Sequence, residues 1–166
     1  RAVDAFRKAA SIAPESPDVR LYLALHYART PEWERAVPML EGLVGQMPDR
    51  LAAWETLGLL QMRLAHTDRA IAAFQRARDL SGPRFAYDLE LGVLYLDARR
   101  YADAARALDR VPASHPGYPM ALFKRAQVSV LLGEPDRVER VRRARAGADE
   151  STRDQVEREA LFRGLL

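Results

Sequence analysis

A period of 34 residues runs without insertion or deletion from Ala2 to Val138, and it constrains this chain more than any other feature. Ala2, Ala36, Ala70 and Ala104 are followed one period later by Val138. Phe6, Leu40, Phe74 and Leu108 fall in step, as do Ala9, Leu43, Ala77 and Val111. Leu23, Leu57 and Leu91 form another column, and Ala24, Gly58, Gly92 and Ala126 form one of small residues. Pro14, Pro48, Gly82 (beside Pro83) and Pro116 form one of chain breakers. Agreement in so many columns means that one short unit recurs. Such a unit cannot bury its apolar face alone, so successive units must stack.

Each period reads as two helices. Tyr22, Leu23, His26 and Tyr27, and then Leu57, Leu60 and Leu64, have the spacing of one helix face; Ala36, Leu40 and Leu43 have it again on a second helix. Ser16–Pro17 and Thr30–Pro31 read as an N-cap followed by a first-turn proline, and Asp49 and Thr67 as caps of later helices. No stretch alternates with period two for long enough to make a strand. Small side chains on both helices allow axes to approach to about 8–10 Å. Glycine inside a helix costs up to ~1 kcal/mol against alanine, so its recurrence at Gly58 and Gly92 marks a close contact.

Composition narrows the function classes. The chain has 166 residues, 48% hydrophobic and 30% charged, a globular balance that excludes wholesale disorder. The absence of cysteine excludes disulfides, thiolate metal sites and cysteine nucleophiles. No apolar run reaches the roughly 18–20 residues of a membrane span, so none is expected. A net charge of +3, evenly mixed, predicts no nucleic-acid partner. Arginine outnumbers lysine 24 to 2, asparagine is missing and isoleucine occurs twice, which points to a GC-rich bacterial genome rather than to a demand for guanidinium groups. A cytoplasmic location is expected, or a periplasmic one where a leader has been removed from a chain that starts at Arg1.

The columns resemble the tetratricopeptide repeat (TPR) family. The residues that carry the resemblance are Trp54-x-x-Leu57-Gly58, Leu91-Gly92-x-x-Tyr95, Leu23-Ala24-x-x-Tyr27, the alanine column from Ala2 to Ala104, Phe6 and Phe74, and Pro14, Pro48 and Pro116. Arg20 and Asp88 stand where the family often has an aromatic residue, and Gln61 replaces its tyrosine. The resemblance covers roughly residues 1–138. It implies an all-α fold, a right-handed α-solenoid of antiparallel helix pairs with a C-terminal capping helix, as a single domain over 1–166. The expected layout is a half repeat at 1–16, repeats at 17–50, 51–84 and 85–118, a degenerate repeat at 119–152 with Val138 and Arg142 out of type, and a terminal helix at 153–166 that keeps Val156 and Ala160 in step. A chain that opens on a lone second helix is expected to be a piece of a longer protein.

Reactive chemistry has no candidate. His26, His66 and His115 fall at different places in the period without ligand-spaced neighbours, and acidic residues alternate with basic ones as on a solvated helix face, as in Glu157–Arg158–Glu159. No phosphate loop, nucleophile elbow or zinc-protease motif occurs. No catalytic residue, metal or cofactor is therefore expected. The densest charge cluster, Arg137, Arg140, Arg142, Arg143 and Arg145, reads as the outer face of a second helix, the alternative being a site for an anionic partner or membrane surface.

The resemblance further implies that the first helices line a concave groove. The residues there are Tyr22, Leu25, Arg29, Leu59, Met62, Arg63, Val93, Leu96, Phe123, Lys124 and Gln127. Their apolar members form a stripe of the kind that marks a partner site, and Arg29, Arg63 and Lys124 favour an acidic flank; the alternative is that neighbouring side chains bury each other or that the terminal helix folds back into the groove. Family members that clamp a peptide's terminal carboxylate use lysine and asparagine on this face. Leu21, Leu25, Thr56, Ala86 and Glu90 stand in those places here, so no such clamp is expected. The expected function is a non-catalytic protein–protein interaction scaffold that binds a peptide or helical segment in the groove. The alternatives are a docking or regulatory arm of a larger bacterial enzyme such as a glycosyl- or sulfotransferase, and a self-assembly module whose groove or terminal helix engages a second copy.

Overall fold

The computed structural model describes residues 16–30, 32–82 and 87–165. The expected half repeat at 1–16, apart from Ser16, lies outside them, as do Pro31, Pro83 and Ala86. Among the described residues there are nine α-helices and no strand. They are α1 (Pro17–Arg29), α2 (Trp33–Gln46), α3 (Leu51–Arg63), α4 (Thr67–Ser81), α5 (Asp88–Asp97), α6 (Tyr101–Leu108), α7 (Tyr118–Leu132), α8 (Arg137–Ala146) and α9 (Glu150–Arg158), followed by a 3-10 turn at Ala160–Phe162. The chain is thus an all-α helical repeat. It divides into two compact units, Arg1–Phe85 and Ala86–Leu166.

In the first unit, α1 packs on α2 and α3 on α4, and α2 joins the pairs by packing on α3. Ala24, Ala36, Leu40, Val44, Ala53, Leu57, Leu60 and Ala73 form the buried centre, with Tyr27, Trp33 and Trp54 packed around it. The small-residue column has its expected role here, because a Cβ on Gly58 would sit 3.0 Å from the Phe74 ring. The Trp54 indole donates to the Pro48 carbonyl at 2.9 Å, which ties the start of α3 to the turn before it.

In the second unit, α5 packs on α6, α7 on α8, and α9 on both α7 and α8. A Cβ on Gly92 would lie 2.5 Å from Leu108 Cγ, closer than carbon atoms pack. The degenerate pair departs from register in a defined way. α8 turns Val141 and Ala144 inward, while Val138 is half-buried and Arg142 exposed. Arg140 is engaged by Asp136 at 2.9 Å and by Asp109 at 3.4 Å, whereas Arg142, Arg143 and Arg145 are exposed.

The turn inside the α3–α4, α5–α6 and α7–α8 pairs repeats as faithfully as the helices. Ala65 and Arg99 (φ 57° each) and Gly133 (φ 67°) lie one period apart, and all three are left-handed. His66, Arg100 and Glu134 then donate their amides to Gln61, Tyr95 and Ser129 at 2.8–2.9 Å, closing a Schellman motif in each of these three pairs. Of the three, only Gly133 adopts this backbone without a Cβ penalty.

Helix starts differ from the sequence expectation. Ser16 precedes α1 but makes no side-chain cap, and Pro17 supplies the start. The Thr30 hydroxyl donates back to the Tyr27 carbonyl at 3.1 Å and so closes α1 rather than opening α2, whose N-cap is Glu32. Arg50 and His66 occupy the N-caps expected of Asp49 and Thr67. Pro38 lies inside α2, and neither Gly42 nor Gly45 of that helix has an atom within reach of an added Cβ. The terminal helix begins at Glu150, earlier than expected, and ends at Arg158. Its cap is a full box: the Asp149 carboxylate accepts the Thr152 amide at 2.9 Å, and the Asp149 amide donates to Thr152 Oγ1 at 3.1 Å.

Two outcomes follow from this packing. Gly92→Ala is expected to lower stability by about 1–3 kcal/mol despite alanine's better helix propensity. Arg99→Gly is expected to raise it by about 0.5–1 kcal/mol, the left-handed penalty less the added unfolded-state entropy. Urea unfolding of the two variants checks both signs. A second prediction concerns pH. Hydrogen bonds from Ser151 and Thr152 hold the Asp149 carboxyl below its usual range. A depressed carboxylate contributes stability that is present above its unfolded pKa and is lost as pH falls through the folded one. The α9 Cα chemical shifts should therefore move toward coil values in acid, and Asp149→Asn, which keeps an acceptor without titrating, should show a flatter pH response.

Candidate functional site

The expected site residues fall in both units. In the first, Tyr22, Arg29, Leu59 and Arg63 are exposed, and Leu25 and Met62 are half-buried. Tyr22 is 52% and Leu59 40% accessible, high values for large apolar side chains. In the second, Val93, Leu96, Lys124 and Gln127 are half-buried and Phe123 is buried.

The first unit gathers four of these residues around one cavity. Neighbouring first helices α1 and α3 touch, and between them lies a space of about 350 Å³. Leu25, Leu59 and Leu60 form its apolar wall, and Arg29, Arg63 and Glu55 contribute charge. Ala28 and Ala52 provide the room, since larger side chains there would fill the space. The Thr56 hydroxyl in the wall donates to its own helix at the Ala52 carbonyl, at 2.7 Å. Arg63 is braced over the Trp33 ring, its guanidinium carbon 5.5 Å from the centroid, which holds a cation at the cavity edge. Tyr22 and Met62 lie outside the lining. The periodicity does mark Glu55, one position before Thr56 on the same face, but it cannot pair Arg63 with a tryptophan on another helix.

In the second unit the α7 part of the corresponding face is covered by the chain itself. Beyond α9 the backbone turns, and Phe162 meets Phe123 edge-on with centroids 5.9 Å apart. The Gln127 side chain donates to the Glu159 carboxylate. Lys124 lies over the Phe123 ring at 5.1 Å. Phe123 therefore belongs to a core with Ala126, Val141, Ala144, Val156 and Phe162.

Two departures from the family pattern are explained by polar partners. Asp88, nearly buried, accepts from Arg110 at 2.6 and 3.1 Å, and that hydrogen bonding raises the Arg110 pKa. Gln61, 1% exposed, meets His66 Nδ1 at 2.7 Å. Arg125 is also buried. Burial opposes its charge, but hydrogen bonds to Glu134 at 2.7 Å and Asp109 at 3.0 Å outweigh that and raise its pKa. Among the described residues no cluster of ligating side chains could hold a metal ion, and no helix is long and apolar enough to cross a membrane.

The tetratricopeptide repeat family pattern matches residues 32–84, 55–119 and 89–137, together well over half of the chain. The chain belongs to the tetratricopeptide repeat family. Among solved structures it is similar to MamA, at 21% identity over 95% of this chain and 86% of that one, with a TM-score of 0.76. It is similar to YrrB, described as a TPR protein with an unusual peptide-binding site, at 15% identity over 96% and 88%, with a TM-score of 0.73. It is also similar to a thermophilic TPR protein of Thermus thermophilus, TTC0263, at 18% identity over 92% and 85%, with a TM-score of 0.60. At these identities the likeness concerns the fold. No curated protein matches the chain by sequence.

The cavity chemistry yields a negative outcome that can be checked. The wall holds Leu25 and Thr56 where a carboxylate clamp needs lysine or asparagine, and the Thr56 hydroxyl is already engaged. Fluorescence titration with an acidic chaperone-type C-terminal peptide should show no carboxylate-dependent binding: the free acid and the C-terminal amide should behave alike.

Proposed function

We propose that this chain is a non-catalytic protein–protein interaction module whose α1–α3 cavity takes an apolar side chain from a short peptide or helical segment of a partner. The observation that carries this reading is the cavity between the two first helices: an apolar wall with one long side, Leu59, left accessible, and two arginines at the edge. Monomeric proteins seldom leave large aliphatic and aromatic groups exposed on one face without a partner for them. Arg29 and Arg63 favour acidic residues flanking the inserted side chain, and such charges set orientation and association rate more than affinity. The family's fold is a scaffold for protein interaction, which supports the reading; the peptide-binding site of YrrB is a property of that protein.

The test uses peptides selected on the intact chain from a displayed library. Leucine- or phenylalanine-centred sequences with acidic flanks are expected. Leu59→Asp with Met62→Asp should weaken the selected peptide by about tenfold or more, as loss of an interface anchor does, while far-UV circular dichroism stays unchanged. Arg63→Glu should slow association and flatten its dependence on salt. Unchanged binding by the Leu59/Met62 variant with its helicity intact would place the site elsewhere.

A further inference from the structure

We infer that the first-helix face of α7, at Phe123 and Gln127, is a second docking surface, held shut by the chain's own segment 159–165. Once that segment is released, the face accepts a partner segment carrying an acidic residue three positions before an aromatic one. This surface lies within the second unit and does not depend on the α1–α3 cavity.

Three observations carry the inference. The first is a conflict between register and structure. Ala160 falls in the small-residue column with Ala24, Gly58, Gly92 and Ala126, so the repeat pattern calls for a first helix that continues through it. The backbone instead leaves the helix at Glu159 (φ −64°, ψ 114°) and makes a 3-10 turn over Ala160–Phe162. The second is the way the segment is seated. It makes the contacts of a bound peptide: one buried aromatic anchor, Phe162, against Phe123, and one carboxylate, Glu159, accepting from Gln127. The other Glu159 oxygen accepts the Leu161 amide at 3.1 Å, which shapes the turn. Leu161 itself, 37% accessible, points away from the contact.

The third is a fault in the fit. Gln127 Oε1 is buried and has no hydrogen-bond partner, although the amide nitrogen beside it is engaged. A buried acceptor left unmet is disfavoured more strongly than an ordinary hydrogen bond is favoured. The chain's own segment is thus an imperfect occupant. A partner segment that adds an N–H or O–H donor for Gln127 Oε1 makes every contact the resident segment makes and one it lacks. That difference in affinity is what displacement requires.

The experiment uses the full chain and a fluorescein-labelled synthetic peptide of residues 157–165 as the probe. Glu159→Ala with Phe162→Ala releases the resident segment. This variant should bind the probe about tenfold or more tightly than the wild-type chain does. A probe with its phenylalanine replaced by alanine should lose that gain. Amides of residues 159–165 in the wild-type chain should exchange with solvent faster than those of α7. The inference is overturned if the double variant keeps its helical circular dichroism and binds the probe no better than wild type, or if it forms concentration-dependent dimers in place of binding the probe. Should the double variant lose its helices, Glu159→Ala alone, which keeps the Phe162 anchor, decides the matter. Faster exchange and stronger probe binding than wild type support the inference. Exchange as slow as that of α7, with unchanged probe binding, makes the segment a permanent part of the core and overturns it.

Discussion

The structure depends on one close contact, between a small residue of a first helix and a large side chain of the second helix in the same pair. At Gly58 the partner is Phe74, and at Gly92 it is Leu108. The second contact leaves no room for a Cβ, so the separation of α5 and α6 is set by the absence of a side chain. The first pair reaches the same end with alanines: Ala24 and Ala36 are both fully buried. Once the pair spacing is fixed, the two helices of a pair must connect in few residues. The left-handed turn at Ala65, Arg99 and Gly133 does this, with the same pair of amide-to-carbonyl bonds each time. Two non-glycine residues accept an unfavourable backbone there, which shows that packing of the pair, and not local preference, dictates the turn.

That hierarchy explains which parts of the fold were legible in the sequence. The period, the pairing of helices and the small-residue contact are encoded in side-chain size at fixed spacing, and they were readable. Helix starts were not. Thr30, Asp49 and Thr67 have the chemistry of caps, yet Thr30 closes the preceding helix, and Arg50 and His66 take the two other places. Where stacking fixes a helix end, a capping side chain adds little, and the preference for one is weak. Among the described helices a complete capping box occurs only at the start of α9, at Asp149 and Thr152.

Positions that break the family pattern show a second limit. Asp88 in an aromatic column looks like a defect until Arg110, 22 residues further on, is seen to grip both carboxylate oxygens. Gln61 in the tyrosine column likewise meets His66 from the adjoining turn. In each case a bulky ring is replaced by a polar group whose partner comes from elsewhere in the same unit, so the buried group stays satisfied. A column read in isolation reports the departure. The compensation lies in a different column, and periodicity cannot link the two.

The candidate site shows why register alone does not settle function. Leu25, Leu59, Val93 and Gln127 occupy one column of the first helices. In the first unit Leu25 and Leu59 face each other across open space, whereas Gln127 lies beneath a segment whose carboxylate it holds. Equivalent positions therefore have different surroundings, and the cause is local: α9 ends at Arg158, and the residues after it turn onto α7 instead of extending the helix. Leucine suits the open position because an apolar side chain gains from an incoming apolar group without needing a polar partner. Glutamine suits the covered one because its amide can donate to Glu159. The residue type at each position thus follows from what lies over it. An interaction surface on such a repeat is fixed by which columns the rest of the chain leaves uncovered.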